Sequence, residues 1–308
     1  MKKPVKIILI AAGVIFVMNS IATKIIYDMA FKRYDPAEPI EYLSDDRFTD
    51  LVNGRQELSI VSGKDTIKAY AYDTENEKGM VVIAPGVNAG ADDFIPVVNT
   101  FKNEGYDVLA FDPTGSTGST GKSMKGYSQE IKDLEAVLEY VDTEYPGEDL
   151  YLFGHSRGAF TVCTALEADE DIKAAVAIGA HNTAMDAIMA LSTRYVGKAA
   201  NLNYPALWCY QAILFGPKTV NLRATDLLDE SDVPVMIVQG SEDKSAPAGE
   251  YSLYSHRDEI TEDDVIYYYS DLEDSNGHTD IIFDEDEDGV NTPMMQSVLD
   301  FFEGASGV

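Results

Sequence analysis

From residue 57 onward, short apolar runs take turns with amphipathic stretches. Glu57–Val61 and Thr66–Tyr72 are strand-like, and Ser62-Gly63-Lys64-Asp65 between them is a hairpin signal. Met80–Ala84 is apolar throughout, which predicts a strand buried on both faces, and Asp92–Asn103 suits a helix. Asp107–Phe111 predicts another strand. Gln129–Val141 carries Ile131, Leu134, Val137, Leu138 and Val141 at helical spacing. Leu150–Phe153 is a strand signal followed by a helical one over Ala159–Leu166. Strands over Ala174–Ile178, Val233–Val238 and Val265–Tyr269 and a helix near Thr292–Phe302 complete the series. Short buried strands set between helices predict an α/β chain with a mostly parallel central sheet covered on both sides. No internal repeat is visible.

One stretch breaks the rhythm. Between the strands Ala174–Ile178 and Val233–Val238, where a single crossover helix suffices, residues 181–230 contain Met185, Met189, Tyr195, Tyr204, Trp208, Tyr210 and Phe215. This segment is expected to form a mostly helical cap over the carboxyl end of the sheet. Most of these side chains would hold the cap down, and a subset would line a pocket.

The amino-terminal pattern differs from both. A short basic segment, Met1 to Lys6, precedes an apolar run from Ile7 to Ile26 that only Asn19, Ser20, Thr23 and Lys24 interrupt. The expectation is an uncleaved signal anchor over residues 1–27. The alternative is a signal peptide cut after Ser20-Ile21-Ala22. Residues 28–56, polar from Tyr34 with Pro36 and Pro39, read as a juxtamembrane linker. The core would then occupy residues 57–180 and 231–308, on either side of the 181–230 cap.

Charge sharpens this division. Net charge is −30, which argues against a nucleic-acid partner. Residues 1–33 hold six Lys/Arg and one Asp, leaving 17 basic and 52 acidic residues in 34–308. An acidic body behind a basic, apolar leader is expected to sit outside the cytoplasmic membrane, held there by that leader or secreted after its removal. Cys163 and Cys209, the only cysteines, are expected to be reduced core residues.

The most informative chemistry lies between the strand Leu150–Phe153 and the helix after it. Gly154-His155-Ser156-Arg157-Gly158 is a Gly-x-Ser-x-Gly in strand–turn–helix context, the setting of a nucleophile elbow. A serine hydroxyl is a weak nucleophile, so a base and an acid must follow at the ends of later strands. Of four histidines, His155 is inside the elbow, His181 opens the cap and His256 falls in a predicted helix. His278, in the loop Asn276-Gly277-His278 after the last strand, is the candidate base. The strand Val233–Val238 runs into Gln239-Gly240-Ser241-Glu242-Asp243, so Asp243 is the candidate acid, ahead of Glu242 and then Asp271 or Asp274.

These motifs, in this order, resemble the α/β-hydrolases over about residues 57–303, in particular membrane-anchored bacterial members similar to the serine aminopeptidase-like and acyl-esterase branches. The resemblance implies an α/β-hydrolase fold and a Ser156–His278–Asp243 triad acting on a small acyl substrate without cofactor or metal. A further match is Ala84-Pro85-Gly86-Val87 after the third strand, where Pro85 replaces the histidine usual in the family. The Val87 and Arg157 backbone N–H groups are accordingly the candidate oxyanion donors. Ester hydrolysis is the leading expectation, with peptidase or amidase activity second and an inactive surface binding protein third.

Three motifs compete for attention. Ser116–Ser123 resembles a phosphate-binding loop, but Ser116 stands where its first glycine is required. Arg157 is bulky and charged for its place; it either holds a substrate carboxylate or, as favoured, pairs with a neighbouring acid. Asp284-Glu285-Asp286-Glu287-Asp288-Gly289 opens like a calcium loop, yet Met295 occupies the position of its closing glutamate, so a solvated acidic turn is expected.

Overall fold

A computed structural model describes residues 3–74, 78–284 and 289–306. Among these, eight strands form one sheet: β1 (Gln56–Ser62), β2 (Asp65–Tyr72), β3 (Met80–Ala84), β4 (Asp107–Asp112), β5 (Leu150–His155), β6 (Ile172–Ile178), β7 (Val235–Gly240) and β8 (Val265–Ser270). The helices are α1 (Lys3–Ala30), α2 (Thr49–Gly54), α3 (Ile95–Asn103), α4 (Tyr127–Glu144), α5 (Arg157–Cys163), α6 (Ala184–Val196), α7 (Tyr204–Phe215), α8 (Pro217–Val220), α9 (Ala224–Glu230) and α10 (Thr292–Ala305).

The strand order is β1-β2-β4-β3-β5-β6-β7-β8. The β1–β2 and β2–β4 pairs are antiparallel, and β4, β3, β5, β6, β7 and β8 run parallel. Patterning explains each strand's place. Every residue of β3 and β5 is buried, as centre strands covered twice must be. β1 buries Leu58 and Ile60 and exposes Glu57, Ser59 and Val61, the alternation of a half-covered edge. The sheet divides the core in two. Val82 and Leu152 face α4 and α5, whereas Ile83 and Phe153 face Phe101 of α3 and Phe302 of α10. Phe302 stacks 5.8 Å from Phe101, and fully burying such a ring contributes roughly 2–3 kcal/mol.

The strand order reverses at β3. Its neighbours are β4 on one side and β5 on the other, so the connections leave in opposite directions and a crevice opens at the carboxyl ends. The cap folds over that crevice as α6 to α9, helical as its composition predicts. Ala187, Ala190 and Leu191 of α6 reach the cavity that contains Ser156. Trp208 donates to Asn221 within the cap, and Tyr210 packs edge-on against Tyr27 of α1, which fastens the cap to the leader. Cys163 is buried in α5, while Cys209 in α7 is only half-buried.

The leader departs from expectation. A membrane-spanning segment is predicted over 1–27, but among the described residues no helix is long and apolar enough to cross a membrane. Part of the physical reason is visible in the polar interruptions, which the fold uses for packing. Thr23 is buried and donates to Asn203, as does Asn19, and Tyr27 is 3% exposed. Nor is the stretch to residue 56 a free linker. Lys32 and Tyr34 bridge to Ser123 and Ser116, and Phe48 and Leu51 are buried in the α3–α10 layer.

Candidate active site

The elbow begins with a close approach that only glycine permits. A Cβ on Gly158 would overlap the Ala84 carbonyl, and one on Gly154 would crowd Gly158, so β3, β5 and α5 meet backbone to backbone. Between them Ser156 takes φ 57°, ψ −109°, a strained conformation for any residue with a side chain. Its N–H is tied to the Ile178 carbonyl at 2.8 Å, which links the turn to β6. Strain held by neighbours on three strands points to a preorganised hydroxyl at the sheet's carboxyl edge.

β7 and β8 bring the other candidates to the same edge. Asp243 and His278 are 35 residues apart in sequence, yet Asp243 Oδ2 accepts from His278 Nδ1 at 2.7 Å. Asp243 Oδ1 accepts from the Ser245 and Ala246 N–H groups at 2.7 and 2.8 Å. Burial pushes the Asp243 carboxyl up, but the bond and charge of His278 and the two backbone donors outweigh it. The carboxyl therefore lies below its usual range. Glu242, Asp271 and Asp274, the other acids considered, are exposed. Because Nδ1 donates to the carboxylate, His278 keeps the Nε2 lone pair as its acceptor. Ser156 and His278 line the same two cavities, one of about 580 Å³ toward the cap and α1, the other of about 330 Å³ toward Tyr42, Phe94 and Phe283.

Sequence reasoning missed four supporting residues. His155 Nε2 lies 2.9 Å from the His278 backbone oxygen; a carbonyl only accepts, so this nitrogen carries a proton and fastens the loop. His181 Nε2 donates in the same way to the Ser245 carbonyl at 3.1 Å, beside Asp243. Burial, followed by the nearby His278 charge, holds both imidazoles neutral, pushing His155 down to about 3 and His181 to about 4. Gly179, at φ 61°, lies beneath the acid and base, where a Cβ would press on both. Tyr127, at the start of α4, lines the larger cavity with Ser156, and burial raises its hydroxyl to about 12. The sequence marks none of the four, because each acts through a partner at least 29 residues away in the chain.

Arg157 illustrates a different principle. Its side chain is fully buried and paired with Glu130 of α4, so it is not a contact for a substrate carboxylate. Burial dominates over Arg157 at Glu130 and pushes that carboxyl up to about 8. The guanidinium also donates to the Gly86 carbonyl at 3.4 Å. In a trans peptide the carbonyl and the following N–H point opposite ways. With the Gly86 oxygen on the Arg157 side, the Val87 N–H faces the other way, and Val87 lines both cavities that Ser156 lines. No backbone carbonyl among the described residues takes the Val87 or Arg157 N–H.

The two remaining motifs resolve unequally. The Gly/Ser-rich stretch is a self-contained turn: Ser116 Oγ donates to Pro113, the Gly118 N–H to Asp112, and Arg33 binds the carbonyls of Thr117, Ser119 and Gly121. A loop that offers carbonyls to an arginine is not built to cradle phosphate. Residues 285–288 of the acidic loop lie outside the described residues.

Comparison with known proteins agrees with this geometry. Residues 75–216 match the family model described as serine aminopeptidase, S33. No curated protein matches the chain. An esterase of Pyrococcus furiosus superposes with a TM-score of 0.63 at 18% identity, covering 90% of this chain and 99% of its own. Proline iminopeptidase from Mycobacterium smegmatis gives 0.58 at 12% identity, over 82% and 99% of the two chains. Acylaminoacyl peptidase from Pyrococcus horikoshii gives 0.56 at 15% identity, over 82% of this chain and 41% of that one. At such identities the likeness is one of fold: a mostly parallel eight-stranded sheet flanked by helices.

Proposed function

We propose that this chain, whose fold is that of the α/β-hydrolases, is a serine hydrolase that cleaves carboxylic esters through an acyl-enzyme on Ser156. The observation that carries this reading is the 2.7 Å bond between His278 Nδ1 and Asp243 Oδ2, beside a strained serine in the same cavity. Ser156 Oγ attacks the acyl carbon as its proton passes to His278 Nε2. Asp243 keeps the ring in the required tautomer and stabilises the imidazolium. The carbonyl oxygen takes up the negative charge and is bound by the Val87 and Arg157 N–H groups, one such donor being worth about 3–4 kcal/mol. Collapse breaks the ester C–O bond, and His278 gives its proton to the departing alkoxide. Water, deprotonated by the same nitrogen, then releases the acid and restores Ser156.

Ser156→Ala is expected to abolish turnover of p-nitrophenyl esters and labelling by a fluorophosphonate while leaving the thermal melt in place. Undiminished turnover removes Ser156 from the reaction. Peptidase or amidase activity is the second reading, favoured by the serine aminopeptidase description of the matching family. A panel of simple esters against aminoacyl amides separates the two by which class has the higher kcat/KM. We further propose that the acidic body lies outside the cytoplasmic membrane, on the strength of its basic, apolar leader. Protease added to intact cells should digest it; complete protection would place it inside.

A further inference from the structure

The larger cavity beside Ser156 has an unexpected wall. One side is α6, through Ala187, Ala190 and Leu191; the facing side is the last turn of the leader, through Met29, Ala30 and Phe31. The smaller cavity on the other side of Ser156 holds instead Tyr42, Asp93 and Thr279 with its aromatic rings. The site is thus two-sided, and its roomier side carries apolar residues on both of these walls, with Arg194 of α6, Lys244 and Asn88 also at its lining. That is the side suited to a flexible hydrocarbon chain.

The leader's contribution is held firmly. Phe31 is 3% exposed, and its carbonyl accepts from the Met124 N–H at 3.0 Å and from Ser123 Oγ at 2.7 Å. One turn earlier Tyr27 donates to the Lys125 carbonyl at 3.1 Å, and two residues later Arg33 clamps the loop carbonyls of Thr117, Ser119 and Gly121. The wall therefore does not depend on the basic N-terminus, and cleavage after Ala22 would leave it standing. Beyond it, exposed apolar side chains stand at the approach beside Arg194: Met29 is 69% exposed and Tyr195 79%. An acyl chain laid against these apolar side chains loses water along its length.

Resting on the ester reading above, we propose that the acyl part of the substrate is a chain longer than butyrate lying against the last turn of the leader. Residues 29–31 are then part of the acyl-binding wall and set chain-length preference. Each methylene that leaves water should multiply kcat/KM by roughly four until the wall ends.

The test measures kcat/KM for p-nitrophenyl acetate, butyrate, octanoate and laurate on the full chain, together with labelling rates for ethyl and decyl fluorophosphonates. The octanoate-to-acetate ratio should be at least tenfold in favour of octanoate. It should fall at least tenfold in Ala30→Trp, on the leader, and in Ala190→Trp, on the cap. Ile26→Trp, exposed one turn away and not lining the cavity, should leave the ratio where it was. A flat chain-length profile, or an equal shift in Ile26→Trp, overturns the proposal while leaving ester hydrolysis intact. If no ester is turned over, the ester reading fails, and the decyl-to-ethyl labelling ratio still decides. A ratio near one, or one insensitive to Ala30→Trp, overturns the wall; a strong preference abolished by Ala30→Trp supports it.

Discussion

Two acid–base pairs sit within a few residues of Ser156 in space, and they are built for opposite ends. Asp243–His278 stands at the cavity, with the histidine side chain 18% exposed and both carboxylate oxygens bonded. Arg157–Glu130 lies beneath the elbow with both side chains essentially sealed from solvent. The fold lowers the Asp243 carboxyl and raises that of Glu130, although burial pushes both upward. What separates them is the number of donors. Asp243 has two backbone N–H groups as well as its histidine, whereas Glu130 faces one guanidinium and the charge of Asp133. A buried carboxylate stays charged only where enough hydrogen bonds replace water. The upper pair is arranged to move a proton, and the lower one to hold a peptide in place.

The sharpest way to break this comparison is Asp243→Asn. If the upper pair is chemical, kcat on the best ester should fall ~10⁴-fold with the melt nearly unchanged. A loss below tenfold would show that Asp243 does not orient the base.

Arg157→Met tests the lower pair and should act mainly on stability. It leaves the Glu130 carboxyl buried, protonated and without a partner, costing about 1–3 kcal/mol, read as a lower midpoint in urea. Arg157→Met combined with Glu130→Leu should recover most of that loss, since two apolar side chains bury without penalty. Its kcat should nonetheless stay reduced, because nothing then draws on the Gly86 carbonyl. Full recovery of kcat would mean the pair does not position the Val87 N–H.

The smallest effects belong to pH, and their signs differ between groups. His155 and His181 have depressed folded values, so the unfolded chain binds more protons. Their contribution is complete above pH 6.5 and is lost as pH falls toward 4 and 3, at up to ~1.4 kcal/mol per pK unit. Glu130 has a raised value, so its contribution is present below about 4.5 and is lost as pH rises through 8. Of these three groups, Glu130 alone still acts above pH 6.5. The melting temperature should therefore decline between pH 6.5 and 8 in the native chain, and the Arg157→Met/Glu130→Leu double should flatten that decline.

All eight strands and the order in which Ser156, Asp243 and His278 follow them were legible because each depends on neighbours in sequence. A buried strand needs a run such as Met80–Ala84, and a tight turn needs Gly154 and Gly158 at fixed offsets. The packing of the leader was not legible for a related reason. An apolar run has the same composition whichever of its residues meet the body, and only the structure shows that Thr23, Tyr27 and Phe31 pack there while Ile21, Ile25 and Ile26 stay exposed.

By itself the sequence determined an α/β chain with a serine at a strained turn, an acid and a histidine after later strands, and an inserted helical cap. Only the tertiary structure decided that His155 grips the loop of His278, that Arg157 is paired and hidden, and that the end of the leader borders the cavity of Ser156. The reason is physical. Strand and turn preferences are set within a few residues, whereas these contacts join Met29 to Ser156 or His155 to His278. They form when surfaces match after the sheet has assembled, and no local pattern encodes that match.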